Sequence, residues 1–201
     1  MTTTDAPAAP RSPGRPLSSE LSDQLVAVAV EILADEGWGR LNSDRIAARA
    51  RAGKAGIYRR WPTMAALARH AVTGFDLVPR PADTGSWRGD LVELLQPWTR
   101  PLDQQERATA SLVGAARHDD DLRAGLNSAV VEPLGAVLVE LARRSAERGR
   151  PVPPGRLDLL CTLVQALWWE RYTVFAVPMT DDGVAELVDT VLLPVVEAPA
   201  A

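Results

Sequence analysis

A chain of 201 residues, 46% of them hydrophobic, can bury one sizeable core and is not a disordered polymer. Its net charge of −4 argues against a uniformly basic protein that coats nucleic acid, and its one cysteine, Cys161, excludes an internal disulfide framework and fits a reducing cytoplasm. No apolar run approaches the roughly 20 residues that span a bilayer.

The opening MTTTDAPAAPRSPGRP lacks an apolar signal-peptide core and is expected to form a disordered tail over residues 1–16. Leu21, Leu25, Val28, Ala29, Ile32 and Leu33 then recur at helical spacing, with Ser18 or Ser19 to cap the helix and Gly37 or Gly39 to end it. Asn42 and Ser43 supply cap oxygens for a second helix with Ile46, Ala47 and Ala50 turned inward. Arg51 to Gly53 form a turn, Lys54 to Arg60 a short third helix, and Thr63 caps a fourth carrying Leu67, Ala71 and Phe75. Val78-Pro79-Arg80-Pro81 marks a boundary.

Helical patterns continue beyond it. Ser86 caps a helix with Trp87, Leu91, Leu94, Leu95 and Trp98; Asp103 caps another through Leu112, Val113 and Ala116. Asp119 to Asp121 open a long helix to Arg148, bent at Pro133. These acids complement the helix dipole, a better account of them than a metal site. The next helix, Leu157 to about Ala176, is apolar on two sides: Leu160, Val164, Trp168 and Phe175 on one, Leu163, Leu167 and Val174 on the other. A helix of that kind is covered on both sides, by its own core and by a second subunit. A last helix carries Val184, Leu187, Val188, Val191 and Leu192.

Charge is not spread evenly over these elements. Arg40, Arg45, Arg49, Arg51, Lys54, Arg59, Arg60 and Arg69 face one acid, Asp44, giving about +7 in this stretch and about −11 in the remainder. Two short helices around a tight turn, with small Ala47 and Ala50 at the crossing and Ile46 and Ile57 between them, are what a helix-turn-helix needs. Its second helix opens on small or basic residues, Gly53, Lys54, Ala55 and Gly56. A basic helical unit in an acidic chain is the footprint of a DNA-contacting module.

The run IAARARAGKAGIYRRWPTMAAL resembles the signature of TetR-type transcriptional repressors. The likeness covers about Leu21 to Ala71 and rests on the preceding amphipathic helix, Gly37, the Ile57-Tyr58 pair, Trp61 and the Thr63 cap. GSWRGDLVELLQPWTRPL and the closing LLPVV are similar to C-terminal effector domains in one branch of that family. The resemblance implies that Lys54 and Tyr58 meet phosphates and that amides at the Asn42 or Ser43 cap approach the backbone. It implies that Gly53, Ala55, Gly56 and Arg59 face the groove, that Arg59 or Arg60 reaches guanine, and that Arg11 and Arg15 of the tail reach the minor groove. Arg51 replaces a usual glycine, so either it adopts a left-handed conformation at a cost of about 1 kcal/mol or the turn shifts toward Gly53. Met64 stands where lysine is frequent.

The expected fold class is therefore all-α: a three-helix DNA-binding head over 17–78, its helix-turn-helix about 42–61, and a larger helical ligand-binding and dimerisation domain over 79–201. The expected function is a cytoplasmic homodimeric repressor, released from a near-palindromic operator by an unknown small molecule. Dimerisation is expected through Leu157–Ala176 and Val184–Val195, and signalling through movement of the helix Thr63–Phe75. Trp87, Trp98, Trp168 and Trp169 are candidates to line the ligand cavity. His70 and His118 have no evident catalytic partner, and neither cofactor nor metal is expected. The rival readings are an all-helical enzyme and a non-specific DNA-binding protein with an incidental basic face.

Overall fold

The computed structural model describes residues 19–173 and 177–197, and every regular element among them is helical. The predicted tail with Arg11 and Arg15, the Ser18 cap, and Val174, Phe175 and Ala176 lie outside the described residues.

Four helices build the N-terminal part: α1 Ser19–Glu36, α2 Ser43–Ala50, α3 Lys54–Tyr58 and α4 Met64–Thr73. Gly37 ends α1 with a positive φ of 83°, and its N–H reaches back to the Ile32 carbonyl at 3.1 Å. α1 packs on α2 and α4, burying Leu25, Ala29, Ile32 and Leu33 in one core with Ile46, Ile57, Trp61 and Leu67. The third helix stops at Tyr58 and not at Arg60 as predicted. Arg60 and Trp61 both donate to the Ile57 carbonyl at 2.9 Å in a closing turn, and Pro62 biases Trp61 away from helix.

The remainder comprises α5 Trp87–Leu95, α6 Gln104–Ala110, α7 Asp120–Leu126, α8 Glu132–Glu147, α9 Pro154–Thr173, α10 Asp181–Leu187 and α11 Leu193–Glu197. The caps predicted at Asn42, Thr63, Ser86, Asp103 and Asp119 all form, each accepting from the backbone N–H three residues on at 2.9–3.1 Å. Each such cap contributes about 1 kcal/mol. The helix predicted through Ala116 ends at Ala110, where the Ser111 hydroxyl donates to the Ala108 carbonyl and a turn follows. α9 begins at Pro154, three residues before the predicted start, because proline at a first helical position loses no hydrogen bond.

The bend expected at Pro133 takes the form of a π turn, Asn127–Val131, joining α7 to α8. Proline has no N–H to give, and its ring crowds the carbonyl four residues back. A wider turn just upstream relieves both. A second π turn, Val188–Leu192, precedes Pro194 at the same offset. The continuous run Asp120–Glu147 spans 28 residues and is long and apolar enough to cross a membrane by length and composition, which corrects the expectation that no stretch approaches that test. Its Leu122, Leu126, Val130, Leu134, Leu138 and Leu141 fall on one buried stripe, the pattern of a core helix.

The two most extensive crossings between head and body are α1 on α6 and α4 on α7. At the second, a Cβ added to Gly125 would stand 3.0 Å from Val72 Cγ2 and 3.1 Å from Arg69 Cα, so glycine permits the approach. Arg69 also pairs with Asp121 at 3.1 Å. Beneath α6, Glu106 is 1% exposed and accepts from the Asp103 N–H at 2.8 Å, from Arg100, and from Arg171 at 3.0 Å. Trp168 donates to the Tyr172 hydroxyl at 3.4 Å beside them, and burial pushes that phenol above its usual range. Removing one partner of a buried pair leaves a charge without compensation. Glu106→Gln should therefore cost about 3–5 kcal/mol in urea unfolding with an unchanged m-value; a loss below about 1 kcal/mol overturns the structural role of the pair.

Candidate nucleic-acid interface

The turn between α2 and α3 is made by Arg51 itself, at φ 50° and ψ 42°, the left-handed position; Gly53 is extended at φ −80°. Of the two possibilities for this turn, the structure holds the unshifted one. Arg51 is the one non-glycine residue with positive φ among the described residues. The Ala52 N–H closes onto the Ala47 carbonyl at 3.0 Å, and Gln24 of α1 donates to the Ala50 carbonyl at 3.2 Å, so the end of α2 is tied down twice.

Around this turn the candidate residues take distinct positions. Asn42 Oδ1 caps α2 through the Arg45 N–H at 3.0 Å, and Asn42 itself is exposed. Ser43 is buried and accepts a hydrogen bond from the Tyr58 hydroxyl at 3.1 Å, while the Tyr58 side chain stays 49% exposed. Gly53, Lys54 and Ala55 lie exposed on one turn. A Cβ at Gly53 would meet nothing within 4 Å, and one at Gly56 only the tip of Arg60, so the fold itself does not require either glycine.

The cations are less free than their number suggests. Arg45 and Arg49 pair with Glu36 at the end of α1, and Lys54 pairs with Asp44, whose hydrogen bond and charge raise the lysine pKa. Arg60 is turned inward, donating to Ser22 Oγ at 2.8 Å and to the Gly56 carbonyl at 2.9 Å. Arg40, Arg51 and Arg59 are exposed, with no ion pair among the described residues. Sequence reasoning missed Ser22, Gln24 and Glu36: Ser22 and Gln24 lie far along the chain from their partners, Glu36 meets its own across the turn from α1 to α2, and only their place on α1 could have signalled them. Met64 is half-buried against the core, as its side chain dictates.

The four tryptophans proposed for a ligand cavity are distributed over three places. Trp98 and Trp168 meet edge-on within the core, ring centroids 5.9 Å apart. Trp87 lines a hollow of about 440 Å³ with Val152 and Val196. Trp169 lines another of about 260 Å³ with Val113, Ala116 and Leu126.

An all-helical chain whose N-terminal helix-turn-helix projects small and cationic residues defines a DNA-binding regulator. The chain belongs to the TetR family: the profile described as "Bacterial regulatory proteins, tetR family" matches residues 25–71, and "Tetracyclin repressor-like, C-terminal domain" matches residues 81–191. An uncharacterized HTH-type transcriptional regulator of Mycobacterium tuberculosis is 32% identical over 191 residues, covering 94% of this chain and 92% of that one. A protein of Mycobacteroides abscessus named DNA-binding transcriptional repressor TetR is 29% identical over 86% of this chain and 92% of its own. Among solved structures, the TetR family transcription regulator SCO0332 is 27% identical, with a TM-score of 0.58 over 87% of this chain and 97% of that one. A multidrug binding protein solved with imidazole shares the fold at 17% identity, with a TM-score of 0.60 over 92% and 99%.

The left-handed Arg51 generates a prediction. Arg51→Gly should stabilise the fold by about 1 kcal/mol, read as a melting temperature raised by about 2–4 °C; an unchanged or lower value overturns the strain assigned to this turn.

Proposed function

We propose that this chain is a homodimeric, ligand-responsive repressor whose head, residues 17–78, grips a near-palindromic operator and whose body, residues 79–201, binds the effector and the second subunit. The observation that carries the reading is the open face of α3. Gly53, Lys54 and Ala55 stand exposed beside Tyr58 and Arg59, on a helix short enough to enter a major groove end-on. In this reading Lys54 exchanges Asp44 for a phosphate, and the Tyr58 hydroxyl turns from Ser43 to another. Amides at the Asn42–Ser43 start of α2 approach the backbone. Gly53, Ala55 and Gly56 permit close approach, and Arg59 is the base-reading candidate. Arg60 supports α3 from behind through Ser22 and Gly56. The name of the Mycobacteroides abscessus relative supports repression as the direction of control.

Leu159, Leu163 and Leu167 on the outer side of α9, with Val191 near α11, support a second copy as the cover of that face. Ligand response is supported by the α4–α7 crossing, because a body that shifts α7 shifts the helix leading into the head. The protein acts in the cytoplasm and carries out no reaction of its own.

Quantitative gel shifts on operator fragments selected from the source genome test the contacts. Lys54→Ala should weaken binding about tenfold at every sequence and lower the salt slope by about 1. Tyr58→Phe should weaken binding by a similar factor, while Arg59→Ala should relax base preference at one position of each half-site. Full-strength binding by both the lysine and tyrosine variants overturns the assignment.

A further inference from the structure

α7 is held between two environments. Asp121 and Gly125 share the face that meets Arg69 and Val72 of α4. Helical spacing puts Arg123, Leu126 and Asn127 on the opposite face, and these three line the hollow of about 260 Å³ beside Trp169. Whatever fills this hollow therefore presses on the helix that touches the head.

Its chemistry is specific. The floor is apolar, from Val113, Leu126 and Trp169, and a tryptophan face suits a flat ring. The rim is cationic. Arg123 is anchored by the Ala116 carbonyl at 3.2 Å and by Asp120. The Arg117 side chain is exposed and makes neither an ion pair nor a hydrogen bond among the described residues. Asn127 adds an amide at the first position of the π turn, where the helix is already widened. Arginine beside an apolar floor selects a carboxylate on an apolar body, since the guanidinium fork matches two carboxylate oxygens. The volume of about 260 Å³ lies just below the roughly 300–1,000 Å³ of ordinary ligand sites, which suits one ring and a short acid arm.

Resting on the reading of the chain as a ligand-responsive regulator, we propose that this hollow is the effector site and that the effector is a small monocarboxylic acid with a ring-bearing apolar body. Calorimetry on the full chain tests it with benzoate, phenylacetate and 3-phenylpropionate, each against its uncharged amide. At least one acid should bind about tenfold more tightly than its amide. Arg117→Gln should erase that difference, and Trp169→Leu should weaken acid and amide alike. The preferred acid should also release a selected operator fragment from the wild-type protein. No acid preferred over its amide, a preference that survives Arg117→Gln, or binding without operator release each overturns the proposal. Operator binding by ligand-free Arg117→Gln is the control: if the wild-type and variant chains both fail to bind DNA, the regulator reading has failed, whereas intact DNA binding with no acid preference removes the effector class alone.

Discussion

The close crossing of α7 over α4 is the constraint on which the arrangement of head and body rests. Gly125 has no side chain to hold the two backbones apart, and the atoms it would otherwise strike belong to Arg69 and Val72, both on the helix that continues from the DNA-facing unit. Packed interiors do not deform continuously, so such a contact leaves α7 and α4 little room to move independently. The exposed Arg69–Asp121 pair flanks the crossing. The other main join, α1 on α6, lands on the helix that carries the buried Glu106.

Electrostatics play opposite parts in the two halves. In the body, Glu106 and Arg171 are withdrawn from water and hold α6 to α9; their worth is positional, because desolvation offsets much of the attraction. In the head, the ion pairs of Arg45, Arg49 and Lys54 involve partly or well exposed groups and are individually weak. On the proposed reading, a weak pair suits Lys54, which must exchange Asp44 for a phosphate.

What was legible in the sequence was local. Asn42, Thr63, Ser86, Asp103 and Asp119 announced their helices because a cap oxygen and its N–H are three residues apart. The helix-turn-helix was legible for the same reason, since its small crossing residues, turn and cationic second helix fit within about twenty positions. The pairing of Glu36 with two arginines was not, because it depends on the angle between α1 and α2, and neither were the anchoring of Arg60 by Ser22 and the approach at Gly125, which depend on how distant helices come to lie together. The tryptophans show the same limit. Apolar spacing foretold burial for Trp98 and Trp168, but not that they would pack against each other while Trp87 and Trp169 face separate hollows. Arg51 is intermediate: the sequence posed its two conformations, and the bonds closing α2 decide between them.

Both prolines inside long helices, Pro133 and Pro194, follow a π turn at the same distance. A π turn holds one residue more than the α turn it replaces, so each is a one-residue insertion lodged in a helix without breaking it. Everything beyond it is rotated by about one residue's angle, roughly 100°, relative to an uninterrupted helix. For the long helix this separates two readings of its surface: the α7 part is phased to the head and the hollow, the α8 part to the rest of the core. A relative that runs straight through this region lines up with this chain only across a single-residue gap in mid-helix. Residue-for-residue comparison of effector pockets that ignores the gap would match Arg123 and Asn127 correctly and misplace every position after Val131.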